Sequence, residues 1–316
     1  MKLSLVIPLL DEEESLRPLH EAITRVLDRE GYDAEIVFID DGSRDASFAV
    51  LRDLAEKDPR VKVVRFRRNF GKSAGLAVGF DEASGDVMIT MDADLQDDPE
   101  EIPHLLAKLD EGYDLVTGWK KKRHDPITKT WPSKVFNWLT STIAGLKLHD
   151  FNCGLKAYRR EVTQEIRITR GMHRFMPALA HWKGLRVAEI AVQHHARQFG
   201  HSKYGFKRFI EGLLDLLTVM LLTRYVSRPL RFFGWISASL IGGGLTIELY
   251  ITYLRFAHGW IMNRYPLLWA GVLMIIVGIQ LLSTGLLAEL VASARNHENE
   301  ASILERINLD DADSTG

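Results

Sequence analysis

Residues 86–98 read DVMITMDADLQDD. Val87, Met88, Ile89 and Thr90 make a short, β-favouring apolar run, and Asp92-Ala93-Asp94 follows almost at once. A run of that length bounded by polar residues reads as a strand buried on both faces, as in a parallel sheet. Side chains two apart on an extended segment point the same way, so Asp92 and Asp94 are expected side by side. Carboxylates that close repel unless a hard cation lies between them, and oxygen donors suit Mg²⁺ or Mn²⁺. Gln96 continues the spacing. An isolated D-x-D is commonly only a solvated loop, so its meaning depends on where the fold places it.

Four further runs read as strands: LSLVIP (3–8), AEIVFID (34–40), VKVVRF (61–66) and DLVTGW (114–119). Helical stretches fall between them, near Glu13–Arg29, Asp45–Glu56, Lys72–Ala83 and Glu100–Glu111. Strand–helix alternation implies an α/β fold with a doubly wound, mostly parallel sheet. Such sheets bind ligands beyond the carboxyl ends of their strands. Here those ends carry Pro8 to Glu12, Asp40-Asp41-Gly42-Ser43 and Asp92 to Gln96, so three polar loops converge on one edge. A divalent ion held there would bridge the two phosphates of a nucleotide-sugar and neutralise the departing diphosphate.

The chain has 316 residues, 46% of them apolar and 26% charged, which suits a folded core with more than one unit. A net charge of −2 gives no reason to expect nucleic acid as a partner. Cys153 is the only cysteine, which excludes an internal disulfide and a zinc site built from several cysteines. The opening MKLSLVIPLL has an apolar run too short for a signal peptide before Asp11-Glu12-Glu13-Glu14, and reads as a strand.

The carboxyl-terminal third is different. Phe232–Leu254 and Leu267–Leu290 are apolar runs with one ionisable group each, Glu248 and Glu289. At about 1.5 Å per helical residue each reaches roughly 35 Å, enough to cross a hydrocarbon core of about 30 Å. Two buried helices of a soluble protein are the alternative. Trp235, Tyr250, Tyr253, Trp260, Tyr265 and Trp269 cluster mostly near the ends, as interfacial aromatics do. Arg224, Arg228, Arg231 and Arg295 flank the pair on one side, against Arg255 and Arg264 in the short connection. The positive-inside rule then puts the amino-terminal domain in the cytoplasm. The expected organisation is a catalytic domain over 1–203, an amphipathic interfacial helix over 204–228, a two-span membrane hairpin over 229–294 and an acidic mobile tail over 295–316.

VIPLLDEEESL, IDDGSRD, RNFGK, MDADLQDDPEEI and RQFGHSKYG, in that order, resemble glycosyltransferase family 2 of the GT-A fold. The resemblance covers roughly residues 3–210 and is strongest to the polyprenyl-phosphate branch, dolichyl-phosphate mannose synthases and bacterial polyprenyl-phosphate glucosyltransferases. It implies inverting, Mg²⁺- or Mn²⁺-dependent transfer from a nucleotide-diphosphate sugar, UDP-glucose or GDP-mannose, to undecaprenyl or dolichyl phosphate. It leaves a homo-oligomer open.

Residue by residue, Pro8, Leu10 and Glu12 match the family's first nucleotide-binding motif, with Asp11 where asparagine is usual. Asp41 matches the acid that reads the base; Asp92, Asp94 and Gln96 match the metal and diphosphate site. Arg197, Ser202 and Lys203 match the R-x-x-G-x-S-K segment near the diphosphate. Lys120, Lys129 and Ser133 fall where relatives hold the acceptor phosphate, often with arginine. Asp150 aligns with the acid ahead of a D-x-x-S-G-F-R-type segment, with Cys153 in place of the serine. The glucosyltransferase branch places its proposed catalytic aspartate four residues later, where this chain has Gly154.

Other features carry less. WKKKRHDPITKTWPSK (119–134) has six Lys/Arg against Asp125, and reads equally as an acceptor-phosphate clamp or as attraction to lipid headgroups. RNFGKSAGL lacks the Walker spacing; Asn69 and Gly71 shape a turn before a helix, with Lys72 near the donor. His194, His195 and His201 lack a third clear ligand for zinc, and His173 in GMHRF reads as a loop histidine or as a residue lining the site. A polysaccharide synthase is the competing enzyme, but two spans are few for an export channel and Q-x-x-R-W is missing. A non-catalytic nucleotide-sugar sensor and a small transporter are the readings from other classes.

Overall fold

The computed structural model describes residues 1–121, 137–166, 168, 171–195, 218, 229–260 and 263–295. It divides into two units, Met1–Val219 and Met220–Gly316. The interfacial helix expected over 204–228 lies outside the described residues apart from residue 218, as does the tail beyond 295.

The five expected strands all form: β1 (Lys2–Leu9), β2 (Asp33–Asp40), β3 (Val61–Arg65), β4 (Val87–Thr90) and β5 (Leu115–Lys120). Two more, β6 (Lys156–Arg159) and β7 (Val187–Val192), complete a seven-stranded sheet of order β3-β2-β1-β4-β6-β5-β7. β1 runs parallel to β2 and β4, β2 to β3, and β5 to β7, whereas β6 is antiparallel to both β4 and β5. The sheet is therefore mixed where β6 intrudes. Because β6 reverses between them, β4 and β5 still deliver their carboxyl ends to the same edge.

Helices cover both faces. α1 (Leu16–Glu30) buries Leu16, Leu19, Ile23, Val26 and Leu27, the three-and-four spacing of one helical stripe. With α2 (Ser47–Lys57) and α4 (Ile102–Asp110) it closes over Leu3, Leu5, Ile7, Phe38 and Ile89. On the other face α3 (Lys72–Glu82), α6 (Arg160–Glu165) and α7 (Met176–Trp182) pack over Val6, Met88, Leu115 and Tyr158, and helical residues 137–144 (α5) join them through Leu139 and Ile143. A Cβ added at Gly79 would collide with Val6 Cγ1, and one at Gly75 would stand 3.1 Å from Pro8 Cβ. Those glycines bring α3 close onto β1, so its first turn overhangs the carboxyl edge.

The second unit holds α8 (Pro229–His258) and α9 (Tyr265–Arg295), both long and apolar enough to cross a membrane. They pack closely: a side chain at Gly244 would meet the Gly271 carbonyl oxygen at 2.7 Å, and one at Gly278 would meet Ile241 Cγ1 at 2.6 Å. Glu289 Oε2 accepts the Leu230 N–H at 3.0 Å, satisfying one of the open donors at the start of α8.

Candidate active site

Three loops at the carboxyl edge are tied to one another through backbone groups. The Asp11 N–H donates to Ser43 Oγ at 3.0 Å and the Glu12 N–H to Ser47 Oγ at 2.9 Å, while Asp11 Oδ1 accepts the Arg44 N–H at 2.8 Å. Asp41 is buried, and its two carboxylate oxygens accept the N–H groups of Phe70 (2.7 Å) and Gly71 (2.9 Å). Gly71 has φ +91°, a left-handed value that only glycine adopts without strain, and α3 begins at the next residue. Asp41 thus anchors the turn from which Lys72 and Ser73 project. Burial pushes its carboxyl up from the ordinary value, partly offset by the two N–H donors. Beside this tie lies a cavity of about 440 Å³ lined by Leu10, Asp11, Gly42, Ser43, Arg44, Arg67, Arg68 and Asn69. Pro8, in β1, is the residue against which Gly75 packs.

Two non-glycine residues in these loops occupy left-handed backbone: Asp11 at φ 55° and Leu95 at φ 59°. Leu95 sits inside the D-x-D loop, where such conformations are held by the surrounding structure at a cost of order 1–3 kcal/mol. The loop is held on several sides. Asp97 Oδ2 accepts the Asp92 N–H at 3.2 Å, and Asp94 Oδ1 accepts the Gln96 N–H at 3.3 Å. The His195 N–H donates to the Gln96 carbonyl at 3.0 Å, and Asp97 and His194 form an isolated antiparallel bridge. The Gln96 side-chain amide lies 3.5 Å from both His194 Nε2 and the His195 carbonyl.

Asp92 is the hub. Its Oδ1 accepts from Lys72 Nζ, and its Cγ lies 2.6 Å from where a Cβ at Gly154 would stand. The carboxyl is held far below the usual range: burial opposes ionisation, but Lys72, Lys120 and Lys156 outweigh it. Lys120, the last residue of β5, pairs with the buried Asp97 at 2.9 Å and is itself only 13% exposed in its side chain. Desolvation lowers the Lys120 pKa, but Asp97 and Asp92 more than reverse this and hold the ammonium charged. Lys156, in β6 and 4% exposed, donates to the Cys153 carbonyl and feels both Asp92 and Asp150.

Asp150 is 1% exposed; its Oδ1 accepts the Asn152 N–H at 3.0 Å. Its segment is clamped by Asn137 of α5, which donates to the His149 carbonyl at 2.8 Å, and by Glu189 of β7, which accepts the His149 N–H at 2.8 Å. Cys153 is buried, and desolvation pushes its thiol up to about 12, so it stays protonated.

The structure therefore brings Asp92, Asp94, Gln96, Lys72 and Lys120 to one edge, with Asp150 reaching the same neighbourhood through Lys156. Lys129, Ser133, Arg197, Ser202 and Lys203 lie outside the described residues. Asp97, Lys156 and the Ser73–His173 contact, at 2.7 Å, escaped the sequence reading. Asp97 was visible there only as part of an acidic run.

Asp97→Ala is expected to lower the stability of the detergent-solubilised protein by about 3 kcal/mol, because it strands a buried Lys120 charge. A urea unfolding midpoint unchanged from wild type would refute this. The double variant Asp97→Asn, Lys120→Met should recover most of the loss.

The profile of "Glycosyl transferase family 2" matches residues 4–167. The chain belongs to glycosyl transferase family 2. This glycosyltransferase is 38% identical over 300 residues to the dodecaprenyl-phosphate galacturonate synthase of Rhizobium johnstonii, covering 92% of this chain and 88% of that one. It is 38% identical over 289 residues to the undecaprenyl-phosphate 4-deoxy-4-formamido-L-arabinose transferase of Pseudomonas aeruginosa, covering 90% and 84%. Among solved structures, glucosyl-3-phosphoglycerate synthase of Mycobacterium tuberculosis, in complex with Mn²⁺, uridine-diphosphate-glucose and phosphoglyceric acid, superposes with a TM-score of 0.54. That match covers 69% of this chain and 79% of the synthase at 18% identity, a likeness of fold.

Proposed function

We propose that this glycosyltransferase moves a sugar, with inversion, from a nucleotide-diphosphate donor to a polyprenyl phosphate at the cytoplasmic face of a membrane. The observation that carries the reading is the D-x-D loop, clamped in strained backbone and ringed by Lys72, Lys120 and Lys156, in a chain that also has two membrane-length apolar helices. Both relatives named above are polyprenyl-phosphate sugar enzymes over nearly their whole length. Their sugars, galacturonate and a formamido-arabinose, extend the donor list beyond UDP-glucose and GDP-mannose. The 440 Å³ cavity beside Asp11 and Ser43 is of a size to take the nucleoside.

Asp92, Asp94 and Gln96 offer the hard oxygen donors that Mg²⁺ or Mn²⁺ takes. Among the described residues no three His, Cys, Asp or Glu side chains form a self-sufficient cage. That fits an ion completed by substrate phosphate and water, which is how Mg²⁺ is commonly held. When bound, the cation neutralises charge on the departing diphosphate. Lys72 neutralises Asp92 in the free protein and is placed to turn toward a phosphate when the donor arrives. The acceptor phosphate is already largely anionic near pH 7, so positioning and charge stabilisation outweigh base catalysis. Asp150, beside Lys156, orients the acceptor or takes its residual proton.

The test is a transfer assay with solubilised protein, Mg²⁺ or Mn²⁺, undecaprenyl or dolichyl phosphate, and radiolabelled nucleotide sugars including galacturonate and formamido-arabinose donors. A lipid-linked sugar that migrates as a monophosphate ester is expected. Donor hydrolysis alone, indifferent to added polyprenyl phosphate, would overturn the acceptor assignment.

A further inference from the structure

His173 lies in a 3₁₀ turn (Met172–Arg174) far along the chain from the D-x-D loop, yet its ring reaches the first turn of α3. His173 Nδ1 and Ser73 Oγ are 2.7 Å apart across 100 residues of sequence. Both ends of the contact are fixed. Ser73 is buried at the start of α3, and the turn is pinned by Met172 and Phe175 in the core on that face. Ser73 directly follows Lys72, the partner of Asp92. The charged groups felt by the ring are Lys72, Arg174, Lys156 and Asp92.

Burial, reinforced by Lys72, Arg174 and Lys156, drives the His173 pKa well below its ordinary value, so the ring is neutral at physiological pH. A neutral imidazole has one donor nitrogen and one acceptor nitrogen. With Nδ1 engaged by Ser73, Nε2 is left with one directional hydrogen bond, opposite in sense to the one Nδ1 makes. Among the described residues Nε2 has no protein partner, and the residue is only half-buried. It lies within electrostatic reach of the Lys72–Asp92 pair, beside which the donor reading above puts the sugar.

We propose that His173 reads the transferred sugar, its Nε2 hydrogen-bonding a hydroxyl of the donor's pyranose ring while Ser73 fixes the tilt of the imidazole. This rests on the donor reading above and adds a residue that distinguishes the sugar from the nucleotide. A hydroxyl suits the site because it both donates and accepts, and so pairs with Nε2 in either tautomer of the neutral ring.

The two ring nitrogens can be separated by substitution. Asparagine keeps a polar atom near the place of Nδ1 and drops the one at Nε2; glutamine reaches the place of Nε2. Binding is measured by calorimetry with Mn²⁺ and the best-bound of UDP-glucose, UDP-galacturonate and GDP-mannose, each beside its sugar-free nucleoside diphosphate. His173→Asn should weaken nucleotide-sugar binding about tenfold and leave nucleoside-diphosphate binding unchanged. His173→Gln should recover at least part of the loss. If His173→Asn matches wild type on both ligands, or weakens both equally, His173 is a structural tie and the proposal fails. If wild type binds none of the three sugars and none of their diphosphates, the donor reading fails first, a result separable from any behaviour of the variants.

Discussion

Asp94→Ala is expected to reduce sugar transfer by at least about a thousandfold while leaving the unfolding midpoint close to that of wild type. Asp92→Ala should do the same. The size follows from the charge involved. The leaving diphosphate gains negative charge as the glycosidic bond breaks, and one preorganised electrostatic contact to such a group is typically worth 10²–10³ in rate. A carboxylate that holds a cation acts on that charge and on substrate placement together. Stability is expected to survive because the loop is fixed mainly by other groups: Asp97 holds the Asp92 N–H, the His195 N–H donates to Gln96, and Leu95 supplies the turn. Of the two, Asp92→Ala has the more complex effect, since it also removes the carboxylate with which the part-exposed Lys72 pairs. Two measurements check the assignment together, initial transfer rate and Mn²⁺ binding followed by the ion's paramagnetic broadening. A variant that still transfers at the wild-type rate, or that binds Mn²⁺ unchanged, rules out the acidic pair as the cation site.

What the sequence makes legible here is apolar pattern, and what it hides is pairing. β1 to β5 stand out as short runs of Val, Ile, Leu and Met between polar turns, and α8 and α9 as uninterrupted apolar stretches. β6 is only Lys-Ala-Tyr-Arg, four residues bracketed by cations, and nothing local marks it as the strand between β4 and β5. Its identity comes from long-range pairing, Thr90 to Lys156 on one side and Thr117 to Lys156 on the other. Lys156 is hidden for the same reason. Lysine is almost never fully buried, so a 4% exposed ammonium beside Asp92 and Asp150 could not be inferred from a sequence that reads as surface. Asp41 was legible as a site residue but not in its geometry, which shows both oxygens occupied by the turn before α3.

Gly154 is where sequence and structure bear on each other most directly, and Gly154→Asp is expected to abolish transfer rather than supply an extra acid. The glucosyltransferase branch that this chain resembles has its proposed catalytic aspartate at this position. In this chain a Cβ there would lie 2.6 Å from Asp92 Cγ and Oδ2 and 2.8 Å from Oδ1, distances that real Cβ atoms do not tolerate. The backbone cannot readily yield, because Thr90 Oγ1 donates to the Gly154 carbonyl at 2.7 Å and Lys156 donates to Cys153 just before it. Asp92 must therefore leave the position in which it pairs with Lys72. Even Gly154→Ala, which adds one methyl group and no charge, should cost about a hundredfold in kcat. The aspartate variant adds like-charge repulsion between carboxylates in contact, and its loss should approach that of Asp92→Ala. The pair separates crowding from charge: if Gly154→Ala is near wild type while Gly154→Asp is dead, repulsion rather than space is decisive. If both retain full transfer, Asp92 does not need the position it holds beside Gly154, and its place at the centre of the site is wrong.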